Sequence, residues 1–222
     1  MKITNKIIIG LASLIAVCVF TFLISLRMNM QSATAAEPAK FNKISVPAFH
    51  SIQIERDWNV EIVNGESIDV SLGEFIEDEK GNGSVVVENG VLIFKTSEDK
   101  DSRYRFPGKV TVKNLKSIKV KNAFVNMKGL SIDSLMLDVD DANSHFSNCN
   151  FSTIVMKNKN GRINCNDTKI EVAEVYFEEG GQSHFSAKKI IGEVNGNSSL
   201  GLFGAVDSLG VKFGESAKMY KH

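Results

Sequence analysis

Beyond Leu26 the apolar residues of this chain fall mostly on alternate positions. Ile52 and Ile54, Val60 and Ile62, then Ile68, Val70 and Leu72 each mark a strand with one buried face, because successive side chains of a strand point to opposite sides. "SVVVE" and "VLIFK" flank Asn89-Gly90, and Asn64-Gly65 divides two earlier runs. Asn-Gly between apolar alternations predicts a two-residue hairpin, since both central residues must take positive φ. Polar stretches 74–84 and 97–108 read as loops. Helical periodicity is nearly absent from this part, so the pattern predicts an all-β fold.

From about Phe106 the texture changes. Apolar runs shorten, and Asn, Ser and Gly punctuate them at regular spacing. Taking Ser144, Arg162, Ser183, Ser199 and Ser216 as anchors gives intervals of 18, 21, 16 and 17 residues, each preceded by another apolar patch. A repeat of that length with two short β segments fits one coil of a β-solenoid, in which stacked coils bury a continuous core. Asn and Gly suit the corners because they tolerate left-handed backbone conformations. "NSHFS" and "QSHFS" place His145 and His184 at equivalent points two coils apart, with Ile163 between.

One region departs from this texture. The stretch 7–26, "IIIGLASLIAVCVFTFLISL", has 20 residues and no charge. As a helix it would span roughly 30 Å, enough for a bilayer's hydrocarbon core. Lys2 and Lys6 precede it, which predicts a cytoplasmic amino end and export of the remainder. The small residues of "SATAAE" also suit cleavage after Ala35 or Ala36, so the sequence leaves open a signal-anchor or a removed signal peptide. The expected organisation is this segment over 1–36, a linker over 37–48, and a β-solenoid over 49–222. Within the solenoid, 49–105 form a hairpin-like opening and 106–222 the serial coils.

Without residues 1–36 the chain carries 23 basic and 26 acidic side chains, so a nucleic-acid partner is not expected. Between Phe106 and Gly129, however, stand Lys109, Lys113, Lys116, Lys119, Lys121 and Lys128 with no acid among them. They predict either a strip for an anionic ligand or a solvated lysine face that protects sheet edges. Cys149 and Cys165 lie 16 residues apart, close to one coil, and are candidates for a disulfide. His145 and His184, separated by two strand spacings or about 9–10 Å, are too far apart to share a metal. Asp138, Asp140 and Asp141 offer calcium-type oxygens, but the positions aligned with Asp140 read Asn158, Glu179, Asn195 and Lys212, so no carboxylate ladder forms. No nucleophile elbow, zinc-protease motif or phosphate loop is present. No catalytic residue, metal or cofactor is expected.

The run "FHSIQIERDWNVEIVNGESIDVSLGE", then "VVVENGVLIFKT", then serial short repeats including "NGRINCN", resembles the auto-transporter adhesin, head GIN-domain family of bacterial envelope proteins. The resemblance covers roughly 46–222. It implies a right-handed parallel β-helix without catalytic residues and a role in adhesion or envelope structure; it carries no functional residues over. The expected function is therefore a non-enzymatic, extracytoplasmic module that meets an envelope or extracellular polysaccharide, or a surface protein. A carbohydrate-active enzyme on the same fold and a membrane-tethered sensor are the alternatives. "MYKH" at 219–222 supplies no obvious cap, which predicts self-association through the C-terminal coil or fraying there.

Overall fold

The computed structural model describes residues 15, 17–25, 27, 40–73, 83–96 and 106–221. The chain divides into two compact units, 1–39 and 40–222. In the first, residues 17–25 are helical and expose Phe20, Phe22 and Leu23. No helix among the described residues is long and apolar enough to cross a membrane, so the expected transmembrane helix is not supported by them. The rest of the stretch 7–26, and the cleavage site near Ala35, lie outside the described residues.

The second unit is built of strands. Its opening holds β1 (Phe41–Ile44), β2 (Ser51–Ile54), β3 (Trp58–Asn64), β4 (Asp69–Gly73), β5 (Gly83–Glu88), β6 (Val91–Thr96) and β7 (Phe106–Val112). Six coils of two strands each follow: β8 (Ser117–Lys121) with β9 (Phe124–Lys128), β10 (Ser131–Asp140) with β11 (Asn143–Ser147), and β12 (Asn150–Lys159) with β13 (Arg162–Asn166). Then come β14 (Lys169–Glu178) with β15 (Gln182–Phe185), β16 (Lys189–Val194) with β17 (Ser199–Leu202), and β18 (Ser208–Phe213) with β19 (Lys218–Lys221). The odd-numbered member of each coil enters a ten-stranded sheet, called here the first sheet, and the even-numbered member a nine-stranded second sheet. Within each sheet these strands run parallel. The expected β-solenoid is thus present, as two sheets, parallel throughout these coils, that enclose one core.

Alternation fills that core. Ile118, Leu137, Met156 and Val175 stack from the second sheet, and Met127, Phe146 and Cys165 from the first, all buried. Residues with positive φ sit at the corners: Asn122, Asp141, Asn160 and Glu179 on one edge, Gly129, Asn148 and Asp167 on the other. Their backbone amides bond up the stack, as from Asp141 N to Lys159 O at 3.0 Å. Among the described residues Ser51, Ser144, Asn158, Ser183 and Ser198 are buried polar side chains, and Asn158 is the largest of them. The Asn158 side chain donates to the Gly161 and Gln182 carbonyls (3.1 and 3.0 Å) and accepts from the Gly161 amide (3.1 Å), so burial leaves it satisfied.

The opening departs from expectation in two places. Asn89 (φ 51°) and Gly90 (φ 75°) do form the predicted turn between antiparallel β5 and β6. Asn64-Gly65 does not: β3 and β4 are separated by β7, which pairs with both, and neither residue is among those with positive φ. A strand some forty residues downstream claims the pairing edge that the local pattern assigned to a hairpin. The stretch 37–48, read as a linker, contributes β1, which pairs antiparallel with β4. The first coil, β2 with β3, lies between β6/β7 and β8/β9, and the antiparallel strands β1, β4 and β5 cover that end of the stack.

Candidate functional site

The six lysines of the predicted strip do not share one face. Lys109 on β7 and Lys128 on β9 belong to the first sheet, Lys119 and Lys121 on β8 to the second, and Lys113 and Lys116 lie in the connection between β7 and β8. Acids distant in sequence meet several of them. Glu61 on β3 lies between β7 and β9 and pairs with Lys109 at 3.9 Å and Lys128 at 2.6 Å. Lys113 pairs with Glu66 at 3.5 Å and Lys121 with Asp140 at 3.2 Å. Lys119 and Lys121 line a small depression of about 250 Å³ with Arg56, Gln53 and Glu55. The strip is therefore corrected to separate, mostly paired lysines on two faces.

The pairing continues over the outer face of the second sheet. Lys119, Asp138, Lys157, Tyr176, Glu193 and Lys212 follow one another in register, and Lys121, Asp140, Lys159 and Glu178 run beside them. Charges alternate in sign from coil to coil in the second column, and in the first until Tyr176 interrupts them. Lys159 reaches Glu179 at 3.2 Å, and that carboxylate raises the lysine's pKa. Lys188 is raised in the same way by Glu171 at 2.7 Å. Asp140 thus neighbours Lys121 and Lys159, not Asn158, a slip of one residue from the sequence alignment. Among the described residues no group of three His, Cys, Asp or Glu side chains could hold a metal ion.

Cys149 and Cys165 are buried free thiols, so the candidate disulfide is not formed in this structure. Register gives the reason: Cys165 stacks on Phe146, while Cys149 follows β11 at the corner, in a different column. The Cys149 thiol donates to the Ser147 carbonyl at 3.4 Å. Burial pushes both thiols up.

The two histidines are equivalent two coils apart, as the sequence rhyme implied, but Asn164 and not Ile163 stands between them. Ile163 points inward from β13. On the outer face of the first sheet Asn126, His145, Asn164 and His184 form one column, continued by Gly201 and Tyr220. The alternation visible in "NSHFS", "GRINC" and "QSHFS" carries this column; a one-residue shift of alignment hid it.

Three solved structures share this architecture. A candidate adhesin from Bacteroides fragilis is 13% identical, with 84% of this chain and 98% of that one covered, at a TM-score of 0.64. A candidate adhesin from Parabacteroides distasonis is 14% identical over 84% and 98%, at 0.54. A candidate lipid-binding protein from the same species is 12% identical over 84% and 98%, also at 0.54. No family model matches the chain, and no curated protein does. At these identities the likeness shows the fold alone: this chain is an all-β, parallel β-solenoid of the architecture that those three proteins share.

Proposed function

We propose that this protein is a non-enzymatic, extracytoplasmic binding module of the bacterial cell envelope, of the auto-transporter adhesin, head GIN-domain type. The observation that carries the reading is the shape of the molecule's usable surface. Side chains fill the space between the sheets, with Trp58, Phe94, Phe146, Phe177 and Phe185 wholly buried. What faces outward is two broad, regular sheet surfaces, which suit an extended partner better than a small substrate. Two of the solved neighbours are themselves candidate adhesins, which supports the reading. Export and tethering rest on the apolar stretch 7–26 preceded by Lys2 and Lys6.

The carboxylates fit the same reading. Glu61, Asp140, Glu171, Glu179 and Glu193 each stand within 4.0 Å of a lysine, an arrangement that orders an outward-facing surface. The test is a cell lacking this chain, complemented with the full chain or with none, scored for adhesion to polysaccharide-coated and protein-coated surfaces. Complemented cells adhere more strongly to at least one coating. Equal adhesion on every coating, with the chain verified at the cell surface, contradicts the proposal.

A further inference from the structure

We propose that the outer face of the first sheet, along the Asn126–His145–Asn164–His184 column, binds a neutral polysaccharide laid parallel to the stacking axis. The inference rests on the reading of this protein as an envelope binding module and names the face and the ligand class.

Three features carry it. The first is spacing and chemistry. The four side chains come from β9, β11, β13 and β15 in unbroken register, so they recur at the strand separation of about 4.8 Å. Each amide, and each neutral imidazole, both donates and accepts hydrogen bonds. All four are half-buried, and among the described residues Asn126, His145 and Asn164 give no side-chain hydrogen bond to a protein group. A chain of hydroxyl groups, which also donate and accept, matches such a row.

The second is charge. From β11 to β17 the outward positions of this sheet are Asn, His, Ser, Gln and Gly, with Arg162 the one charged residue. Its guanidinium is already bonded to Gln182 Oε1 at 3.2 Å. The second sheet presents alternating lysines and acids instead. Between β11 and β17 a charged polymer finds no complementary row, whereas a neutral polar polymer binds there without desolvating an ion; the lysines of the same sheet, Lys109 and Lys128 on one side and Lys218 and Lys221 on the other, lie outside that stretch.

The third is a flat aromatic end. After His184 the column passes to Gly201, where a Cβ would lie 2.4 Å from His184 Cδ2. Glycine thus lets the imidazole lie over the next strand. The Phe203 ring sits 6.1 Å from the imidazole, tilted by 33°, and Phe203 and Tyr220 are 41% and 46% exposed. An open ring surface beside hydrogen-bonding groups accommodates the apolar face and hydroxyl rim of a pyranose. A protein partner would favour a more apolar centre than this row of amides and imidazoles.

The experiment measures retention of the full chain on beads of dextran, mannan, a mixed-linkage β-glucan and polygalacturonate, at low and high salt. It compares the unaltered chain with His145→Ala/Asn164→Ala, with Phe203→Ala, and with Lys157→Ala/Tyr176→Ala on the opposite sheet. All positions face outward, and an unchanged thermal transition verifies each fold. The expected result is retention on at least one neutral polymer, insensitive to salt. It falls at least about tenfold in the two first-sheet variants and is unchanged in the second-sheet variant. Equal retention by all variants overturns the proposal. So does absence of retention on every neutral polymer. Salt-sensitive retention on polygalacturonate alone overturns the assigned face and ligand while leaving the binding-module reading intact; that reading is decided by the cell-adhesion comparison.

Discussion

Gly192 occupies a backbone position with little tolerance. Its φ is 129°, and a Cβ there would stand 2.0 Å from the Val175 carbonyl oxygen. Gly192→Ala therefore forces β16 away from β14 and should cost about 3 kcal/mol, read as a lower denaturant midpoint. Asn158 is the polar counterpart. Asn158→Ala strands the Gly161 amide and Gln182 carbonyl and leaves a small void, an expected loss of about 1–3 kcal/mol by the same measurement. Among titrating groups the resolved shifts share one sign. Burial raises the pKa of Cys149 and Cys165, and neighbouring carboxylates raise Lys159 and Lys188. A raised folded-state pKa gives stability that is complete below the unfolded value and declines above it. Unfolding free energy should therefore fall as pH rises past the ordinary thiol range of about 8.5, with both thiols resisting alkylation until the chain unfolds. A stability that rises through that interval contradicts the assignment. The corner asparagines were legible as single residues, because few other side chains accept positive φ. Gly192 was not, since "KIIGEV" reads as an ordinary interrupted strand.

At the scale of elements, sequence proximity and spatial proximity part company. Six lysines within 20 residues suggested a common strip, and they are distributed over β7, the following connection, β8 and β9. Adjacent elements of a solenoid alternate between sheets, so near neighbours in the chain face opposite ways. The partner of Lys109 and Lys128, Glu61, comes from the first coil and is invisible to any local window. The same displacement explains Asn64-Gly65: turn chemistry is a local signal, and the insertion of β7 between β3 and β4 is a long-range event. The coil period itself was legible because it depends on alternation and corner residues, both local. Its phase slipped by one residue because Ser144 and Ser183 point inward, where Ile163 also points, while Arg162 faces solvent. For the exposed pairs a small effect is expected. Lys121→Ala removes the contact to Asp140 and should change stability by less than about 1 kcal/mol, whereas Val120→Asp on the inward side of the same strand should unfold the chain. Comparable losses from the two variants would mean that the sheet faces are assigned wrongly.

For the whole molecule, stability should be graded along the stack. Central coils have neighbours on both sides, and β10, β12 and β14 each pair over long stretches. At β18 and β19 the inward positions Leu209, Phe213 and Met219 are exposed, although they continue the columns of buried Ile190, Val194 and Leu200. Amide exchange should be slowest over β10 to β14 and faster at β18 and β19; uniform protection would contradict this gradient. The antiparallel strands at the opposite end give that end a cover that the regular repeat did not foretell.

Under the proposed function the solenoid binds an extended polymer on the outer face of its first sheet and leaves it uncut. The most direct test incubates the full chain with neutral and acidic polysaccharides, scoring retained protein and newly formed chain ends in the same samples. Retention on a neutral polymer with no new ends is expected. New chain ends from any polymer, absent from a matched blank, would contradict it.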